Sequence, residues 1–191
     1  MEAPNDWNHG INQILADTVE STWVYAKYVV LLCGLPGAGN SVFSGFLAAG
    51  FREAIERQRN TDGTTPQVRV CGSGFHEAQA NLLRGWGREM AEDDVKLSLQ
   101  AADVVIIDEM HVTAADRQRI IAVVTSECAR VGSEGAVVTV KLSYRDEAHA
   151  LELNERSRRP LPPATVKVLF QQFAADTEVP AFTVESFAQP E

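Results

Sequence analysis

The stretch Tyr28-Val29-Val30-Leu31-Leu32-Cys33-Gly34-Leu35-Pro36-Gly37-Ala38-Gly39-Asn40-Ser41 decides the fold, because it joins an apolar run to a glycine-rich turn. Its second half fits the pattern G-x-x-x-x-G-K-[ST] of phosphate-binding loops at every position but one. Asn40 stands where the pattern has lysine. An apolar run of this length before a turn is typical of a central parallel strand. The stretch therefore predicts a strand, a loop and a helix, in that order.

A loop of this kind binds phosphate with its backbone N–H groups and with the positive end of the helix that follows. The pattern's lysine neutralises the β- and γ-phosphates, and its hydroxyl residue binds Mg²⁺. We therefore expect a nucleotide to contact the loop, with the Ser41 hydroxyl as a metal ligand. The expected nucleotide-binding residues are Gly34, Pro36, Gly37, Ala38, Gly39, Asn40 and Ser41. Asn40 can donate a hydrogen bond but has no charge, so the usual positive group is missing.

A second apolar run, Val104–Ile107, ends in Asp108 and Glu109. A carboxylate at the carboxyl end of a strand can hold Mg²⁺ directly or through water. Because ligands of parallel sheets bind at that edge, we expect Asp108 to lie beside the glycine-rich loop and to bind the metal with Ser41. Glu109 either orients an attacking water or caps the turn, and we favour the cap.

The rest of the chain alternates between strand and helix patterns, which predicts an α/β fold: a mostly parallel sheet of about five strands with helices on both faces. With 191 residues the chain is expected to form a single domain. We expect 1–26 to be a helical extension and 155–164 to be an arginine-bearing lid. The predicted strands are 27–33, 67–71, 103–109 and 135–142, and the predicted helices are 8–24, 41–50, 75–101, 113–131, 146–156 and one beginning near 160. Residues 51–65 read as a polar loop.

Charge and cysteine content exclude some classes of protein. A net charge of −9 and a pI near 4.9 argue against nonspecific nucleic-acid binding, although a local basic groove remains open. The three cysteines have no C-x-x-C spacing, so we expect buried thiols and a reducing compartment. The longest apolar run is shorter than the ~20 residues of a membrane helix, and residues 1–10 resemble no targeting peptide. We expect a cytoplasmic protein without membrane partners.

A basic cluster, Arg156, Arg158 and Arg159, precedes Pro160. Guanidinium groups are planar and permanently charged, so an arginine-bearing segment can close over a nucleotide and stabilise charge on the transferred phosphoryl group. The alternative is an exposed helix end at which arginine favours the negative end of the helix dipole. The residues themselves do not separate these two interpretations.

Three segments resemble the small P-loop kinases that phosphorylate polynucleotide 5′-hydroxyls. They are GLPGAGNS (34–41), VVIIDEMH (104–111) and NERSRRPLPP (154–163), followed by Phe173, Pro180, Glu185 and Phe187. The resemblance covers about 28–187, and the chain is also similar to seryl-tRNA kinase and zeta-toxin-like kinases. It implies a P-loop NTPase fold, ATP and Mg²⁺ as cofactors, a metal-binding and catalytic Asp108, and Arg158 and Arg159 as catalytic lid residues.

The chain departs from that family at two places. Lysine is replaced by Asn40, and the aspartate that usually follows the second strand is missing from Cys71-Gly72-Ser73-Gly74-Phe75-His76-Glu77. His76 or Glu77 could replace this base, but we favour chance proximity. His111 could face the same cleft, but we expect it at the surface.

Three functions stay open after these departures. We favour a degenerate, kinase-like nucleotide-binding protein, either a pseudoenzyme or weakly active, that serves in a protein assembly. The alternative is an active ATP-dependent kinase of a hydroxyl on a nucleic acid or small molecule. A third possibility is an NTP hydrolase that uses Glu109.

Overall fold

A computed structural model describes residues 5–22, 27–58, 66–72, 86–157, 160–177, 180 and 182–185. Within these residues the chain forms five strands and six helices. The strands are β1 (Lys27–Cys33), β2 (Val68–Cys71), β3 (Val104–Ile107), β4 (Gly135–Ser143) and β5 (Phe182–Glu185). The helices are α1 (Asn5–Thr22), α2 (Asn40–Gln58), α3 (Trp86–Ala101), α4 (Ala114–Arg130), α5 (Glu147–Glu155) and α6 (Pro163–Ala175).

The strands form one parallel sheet in the order β2-β3-β1-β4-β5. The central strand β1 pairs with β3 on one side, from Tyr28↔Val104 to Leu31↔Ile107, and with β4 on the other side. All four residues of β3 are buried, as expected for a strand covered on both faces. The predicted α/β fold with a parallel sheet of about five strands is confirmed.

Alternate residues of the central strands face two separate hydrophobic layers, because successive side chains in a strand point to opposite faces. Val30, Leu32 and Ile106 belong to the layer that includes residues of α1 and α2. Val29 and Ile107 belong to the layer that includes residues of α3 and α4. Helices therefore cover both faces of the sheet and leave its carboxyl-terminal edge as the place where loops meet.

Helix α2 is longer than the sequence indicates. The polar composition predicts a loop from Phe51 onward, which is wrong as far as Gln58; residues 59–65 lie outside the described residues. Gly50 does not end the helix, because α1 crosses α2 there: a methyl group built on Gly50 would lie 3.0 Å from Cδ1 of Leu15. Phe51 is buried, which anchors the next turn.

Helix α1 contributes large side chains to the core. Trp7 and Ile14 are buried, and the Trp7 ring meets Phe43 of α2 edge to face at 5.3 Å. Helix α1 also contacts β5 and β1. Among the described residues, no helix combines the length and apolar character that a membrane span requires.

The three cysteines are buried and unpaired, as the sequence predicts. Burial raises the pKa of Cys33 and of Cys71 to about 12. Both thiols are therefore protonated at neutral pH and are poor nucleophiles.

Candidate functional site

The glycine-rich loop lies at the carboxyl end of the central strand and leads directly into α2. Gly37 and Gly39 have φ angles of 85° and 89°, which glycine adopts without strain. A hydrogen bond from the Ala38 N–H to the Leu35 carbonyl, at 3.1 Å, closes the turn. The first N–H groups of α2 have no partner within the helix, so the loop and helix start form an anion-binding geometry.

Neighbouring elements hold the loop in place. The Gly34 N–H donates to the Met110 carbonyl at 3.0 Å. The Tyr144 hydroxyl accepts from the Leu35 N–H at 2.6 Å and lies 3.1 Å from the Leu35 carbonyl, to which it donates. On the other side, Gly37 packs so closely on α5 that a methyl group there would overlap the Leu153 carbonyl. The loop is therefore a supported structure with a fixed shape.

Asp108 lies beside the start of α2. Its N–H donates to the Cys71 carbonyl at 2.8 Å, which fixes the residue at the end of β3. The carboxylate is 3.3 Å from the Ser44 hydroxyl and also accepts a hydrogen bond from Ser41. Burial raises the pKa of Asp108, and the two hydroxyl groups oppose that effect. The structure thus brings together Asp108 and Ser41, the two expected metal ligands.

Asn40 joins the loop to the residues after β3. Its side-chain N–H group donates to the Glu109 carbonyl at 3.3 Å and, at 3.5 Å, to the Gly34 carbonyl. Gly34 allows this conformation, because a methyl group there would overlap Oδ1 of Asn40. That Oδ1 is buried and has no hydrogen-bond partner among the described residues. The amide therefore makes backbone contacts but brings no charge to the loop.

His111 is buried, with 5% exposure, so the expectation of a surface residue is wrong. Its Nδ1 lies 3.0 Å from the Leu32 carbonyl, which can only accept, so Nδ1 carries the proton. Burial lowers the pKa of His111 to about 4, so the ring is neutral at pH 7. Its Nε2 lies 3.6 Å from Oε2 of Glu109. At neutral pH this contact is not an ion pair.

Glu109 lies within the same edge of the sheet. A methyl group built on Gly72, the residue after β2, would lie 2.8 Å from Cγ of Glu109. Thr113 and Asp116 cap the neighbouring helix α4, and the expectation that Glu109 caps the turn after β3 stays a prediction. Its carboxylate therefore occupies the space next to the end of β2, facing His111.

The base of the predicted lid is well ordered by hydrogen bonds. The buried Asn154 amide accepts from the Leu161 N–H and donates to the Leu161 carbonyl, both at 2.9 Å. Arg156 pairs with Glu152 at 2.6 Å on the exposed side of α5. Arg158 and Arg159 lie outside the described residues, as do Phe75, His76, Glu77 and Phe187.

Sequence reasoning missed three residues that support the site. Ser44 could have been found, because it follows Ser41 by three residues on the same helix face, toward Asp108. Tyr144 and Asn154 carry no comparable signal. Their contacts, with Leu35 and Leu161, depend on how β4, α5 and α6 pack against the loop.

Comparisons with solved structures report similar folds at low sequence identity. A chain of the Pnkp1/Rnl/Hen1 RNA repair complex is 16% identical with a TM-score of 0.51; the match covers 78% of this chain and 45% of that one. A putative fructose transport system kinase from Silicibacter sp. TM1040 is 15% identical with a TM-score of 0.43, covering 91% and 98%. The APS kinase CysC of Mycobacterium tuberculosis is 18% identical with a TM-score of 0.40, covering 87% and 84%.

No protein-family model matches the chain, and no curated protein matches it significantly. The chain spans less than half the length of the RNA repair protein that it resembles. A likeness at this level of identity concerns the fold. The five-stranded parallel sheet and the likeness to the chain of the RNA repair complex show that the two share an α/β fold.

Proposed function

We propose that this chain is a P-loop kinase-like nucleotide-binding protein whose capacity for phosphoryl transfer is degenerate. The loop from Gly34 to Ser41 binds the phosphates of ATP or another NTP, with Pro36, Gly37, Ala38 and Gly39 supplying the backbone of the cradle. The support is geometric: the loop lies at the carboxyl end of the central strand and leads directly into the start of α2, the end of a helix that favours anions.

The residues present fit Mg²⁺. A serine hydroxyl and a carboxylate are hard oxygen donors, which this ion prefers. The Asp108 side chain is 4% exposed, and its described contacts are with hydroxyl groups. We propose that Ser41 and Asp108 hold the ion, which would neutralise charge on the phosphates. Arg158 and Arg159 are proposed to act from the lid, on the basis of the family resemblance alone.

The proposal of degenerate phosphoryl transfer rests on the hydrogen bonds and the lack of charge of Asn40. In the P-loop kinases that the chain resembles, the equivalent lysine reaches the phosphates, whereas the Asn40 amide donates to the carbonyls of Gly34 and Glu109. Removal of a single preorganised charge or donor lowers the rate of such reactions by about 10²–10³-fold. A chain without that charge is better suited to binding than to turnover, and we propose a role in a protein assembly.

An active kinase of a nucleic-acid or small-molecule hydroxyl is the second candidate. It is favoured by the retained contacts among Asp108, Ser41 and Ser44. Phosphoryl transfer depends mainly on positioning and electrostatics, so a site with these groups in place can retain slow activity.

The test measures ATP binding by thermal shift and calorimetry for wild type, Asn40→Lys and Asn40→Met in the presence of Mg²⁺. Lysine and methionine have similar lengths, so methionine controls for shape without charge. We expect Asn40→Lys to lower the ATP Kd about 10–100-fold, the range for a charge-assisted contact, and Asn40→Met to give no gain. Bound ligand raises stability by RT ln(1 + [L]/Kd), so even millimolar affinity is measurable.

Activity assays separate the candidates. Radiolabelled phosphate transferred by wild type to a 5′-hydroxyl oligonucleotide would support the active kinase, and release of free phosphate without an acceptor would support a hydrolase. If none of the three proteins responds to any nucleotide, the assignment of the phosphate loop is wrong.

A further inference from the structure

Position 40 leaves the phosphate loop without a fixed positive charge. Asn40 is neutral, and its amide hydrogens point to the carbonyls of Gly34 and Glu109. In the described part of the chain, the side chains that donate hydrogen bonds to the Asp108 carboxylate are those of Ser41 and Ser44, and neither is charged. The described portion of this site is thus neutral on the loop side and acidic on the side of β3.

A carboxylate in this position opposes the binding of a polyphosphate anion. Asp108 is 4% exposed, so water screens its charge weakly. Ser41 contacts this carboxylate and also lies in the first turn of the helix that would receive the phosphates. Nucleotide phosphates at the loop would therefore lie close to a buried negative charge, and the loop itself offers only backbone N–H dipoles to offset it.

A divalent cation between the two negative groups removes this conflict. Ser41 and Asp108 offer oxygen donors to a hard cation, and the phosphates of a nucleotide offer further ones. In loops with lysine, part of the attraction for phosphate is independent of the metal. Asn40 supplies no such charge, so a metal held by Ser41 and Asp108 would supply positive charge at the place where the phosphates bind.

We infer that the metal and the nucleotide bind this site as an obligate pair, because a mobile cation replaces the fixed charge that position 40 does not supply. This inference rests on the proposed function, since it concerns the same loop. It predicts strong mutual coupling: the metal raises affinity for a nucleoside polyphosphate, and the nucleotide raises affinity for the metal by the same factor.

The experiment is a thermodynamic cycle. The ATP Kd of wild type and of Asn40→Lys is measured by calorimetry in Mg²⁺ and in EDTA, at the same ionic strength. For wild type we expect the ATP Kd to be about 100-fold or more higher in EDTA than in Mg²⁺. For Asn40→Lys we expect the ratio of these two Kd values to be below about tenfold. The comparison of ratios cancels any effect of the substitution that is common to both conditions.

Asp108→Asn provides a second, independent arm should Asn40→Lys fail to fold. Asparagine keeps the size and an acceptor oxygen but removes the charge. In EDTA this variant should bind ATP at least as well as wild type does, and Mg²⁺ should add little to its affinity. Electron paramagnetic resonance measures metal binding directly. The affinity of wild type for Mn²⁺ should be higher in the presence of ADP than in its absence.

The outcomes distinguish this inference from the proposed function. Wild type that binds ATP equally well in Mg²⁺ and in EDTA would overturn obligate pairing and leave nucleotide binding intact. Such a result would also mean that a positive side chain other than residue 40 attracts the phosphates. Arg158 and Arg159 would be candidates for that side chain. If wild type binds no nucleotide in either condition while Asn40→Lys does, the proposed function fails for the natural chain. A metal dependence that is as large in Asn40→Lys as in wild type would show that position 40 does not set the coupling.

Discussion

The body of the sheet and its carboxyl-terminal edge follow different rules. In the body, Leu31 and Ile106 are fully buried among apolar side chains, and their backbone groups are paired in regular ladders. A few residues further along, Asn40 and His111 each bury a side-chain atom that has no hydrogen-bond partner among the described residues. His111 also has a φ of 39°, which is uncommon for a residue with a side chain.

This contrast indicates that the body of the sheet stabilises the fold and that buried polar atoms at the edge destabilise it. Burial of apolar surface stabilises the body. A buried polar atom without a partner is destabilising, and such atoms concentrate at functional sites. Ser98 in α3 and Arg119 in α4 also bury a side-chain atom without a hydrogen-bond partner among the described residues, so such atoms are not confined to the edge. Four substitutions can break or sharpen the comparison between the body of the sheet and its edge.

The largest effect is expected in the body. Leu31→Ala should lower the free energy of unfolding by about 4 kcal/mol, because it removes a fully buried side chain and leaves a cavity. Leu97→Ala in α3 is the matched control: Leu97 is 57% exposed, so its change should stay within about 0.5 kcal/mol. Denaturant unfolding measures both. Equal losses would mean that the sheet is not packed as described.

The second effect concerns pH at the edge. The pKa of His111 is lowered to about 4, whereas the unfolded residue titrates near 6.5. Between these values the unfolded chain binds a proton that the folded chain does not, so stability is present at pH 7 and is lost as pH falls. At 1.36 kcal/mol per pKa unit the loss is about 3 kcal/mol.

His111→Asn is the control for this effect, since asparagine tolerates positive φ and carries a donor that could face the Leu32 carbonyl. Denaturant unfolding at several pH values gives the difference between the two proteins. From pH 7 to pH 4, the free energy of unfolding of wild type should fall by about 3 kcal/mol relative to that of His111→Asn. Parallel pH profiles would mean that the ring is accessible to protons in the folded protein.

The same contrast explains what could be predicted from the sequence. The runs that form β1 and β3 are recognisable because a strand covered on both faces must be apolar throughout. Asp108 could be placed beside Ser41 because parallel strands bring their carboxyl ends to one edge. The continuation of α2 past Gly50 could not be predicted, since it depends on the crossing of α1.

The unpredicted parts of the site are contacts between elements distant in sequence. The Tyr144 hydroxyl meets Leu35 across 109 residues of chain, and His111 meets Leu32 across 79. No local pattern announces such a contact, because the pairing follows from the assembled sheet and helices. Burial of His111 was missed for this reason, as a histidine in a loop carries no periodic signal.

A smaller effect is expected just beyond the edge, where α4 begins. Thr113 and Asp116 form a reciprocal capping box, so the N–H groups of both residues have close partners. Thr113→Ala should lower the free energy of unfolding by about 1 kcal/mol, the typical value of an N-cap. Thr165→Ala, at an exposed position in the first turn of α6, is the control and should be close to neutral. A loss at both positions would indicate a general effect of threonine in helices.

The smallest expected effect has the opposite sign. Burial raises the pKa of Asp108 above its ordinary value, so the ionised carboxyl disfavours the folded state, and stability is lost as pH rises through the raised pKa. Without metal at pH 7, Asp108→Asn should therefore raise the melting temperature, modestly, because hydrogen bonds from Ser41 and Ser44 offset part of the burial. Asp146→Asn is the control: this exposed residue caps α5, and asparagine caps a helix equally well. If Asp108→Asn destabilises the metal-free protein and Asp146→Asn does not, the carboxylate stabilises the fold. Burial of this polar group would then stabilise the fold, as burial of apolar groups does in the body of the sheet. It would not follow that polar groups at the edge are kept for binding at a cost in stability.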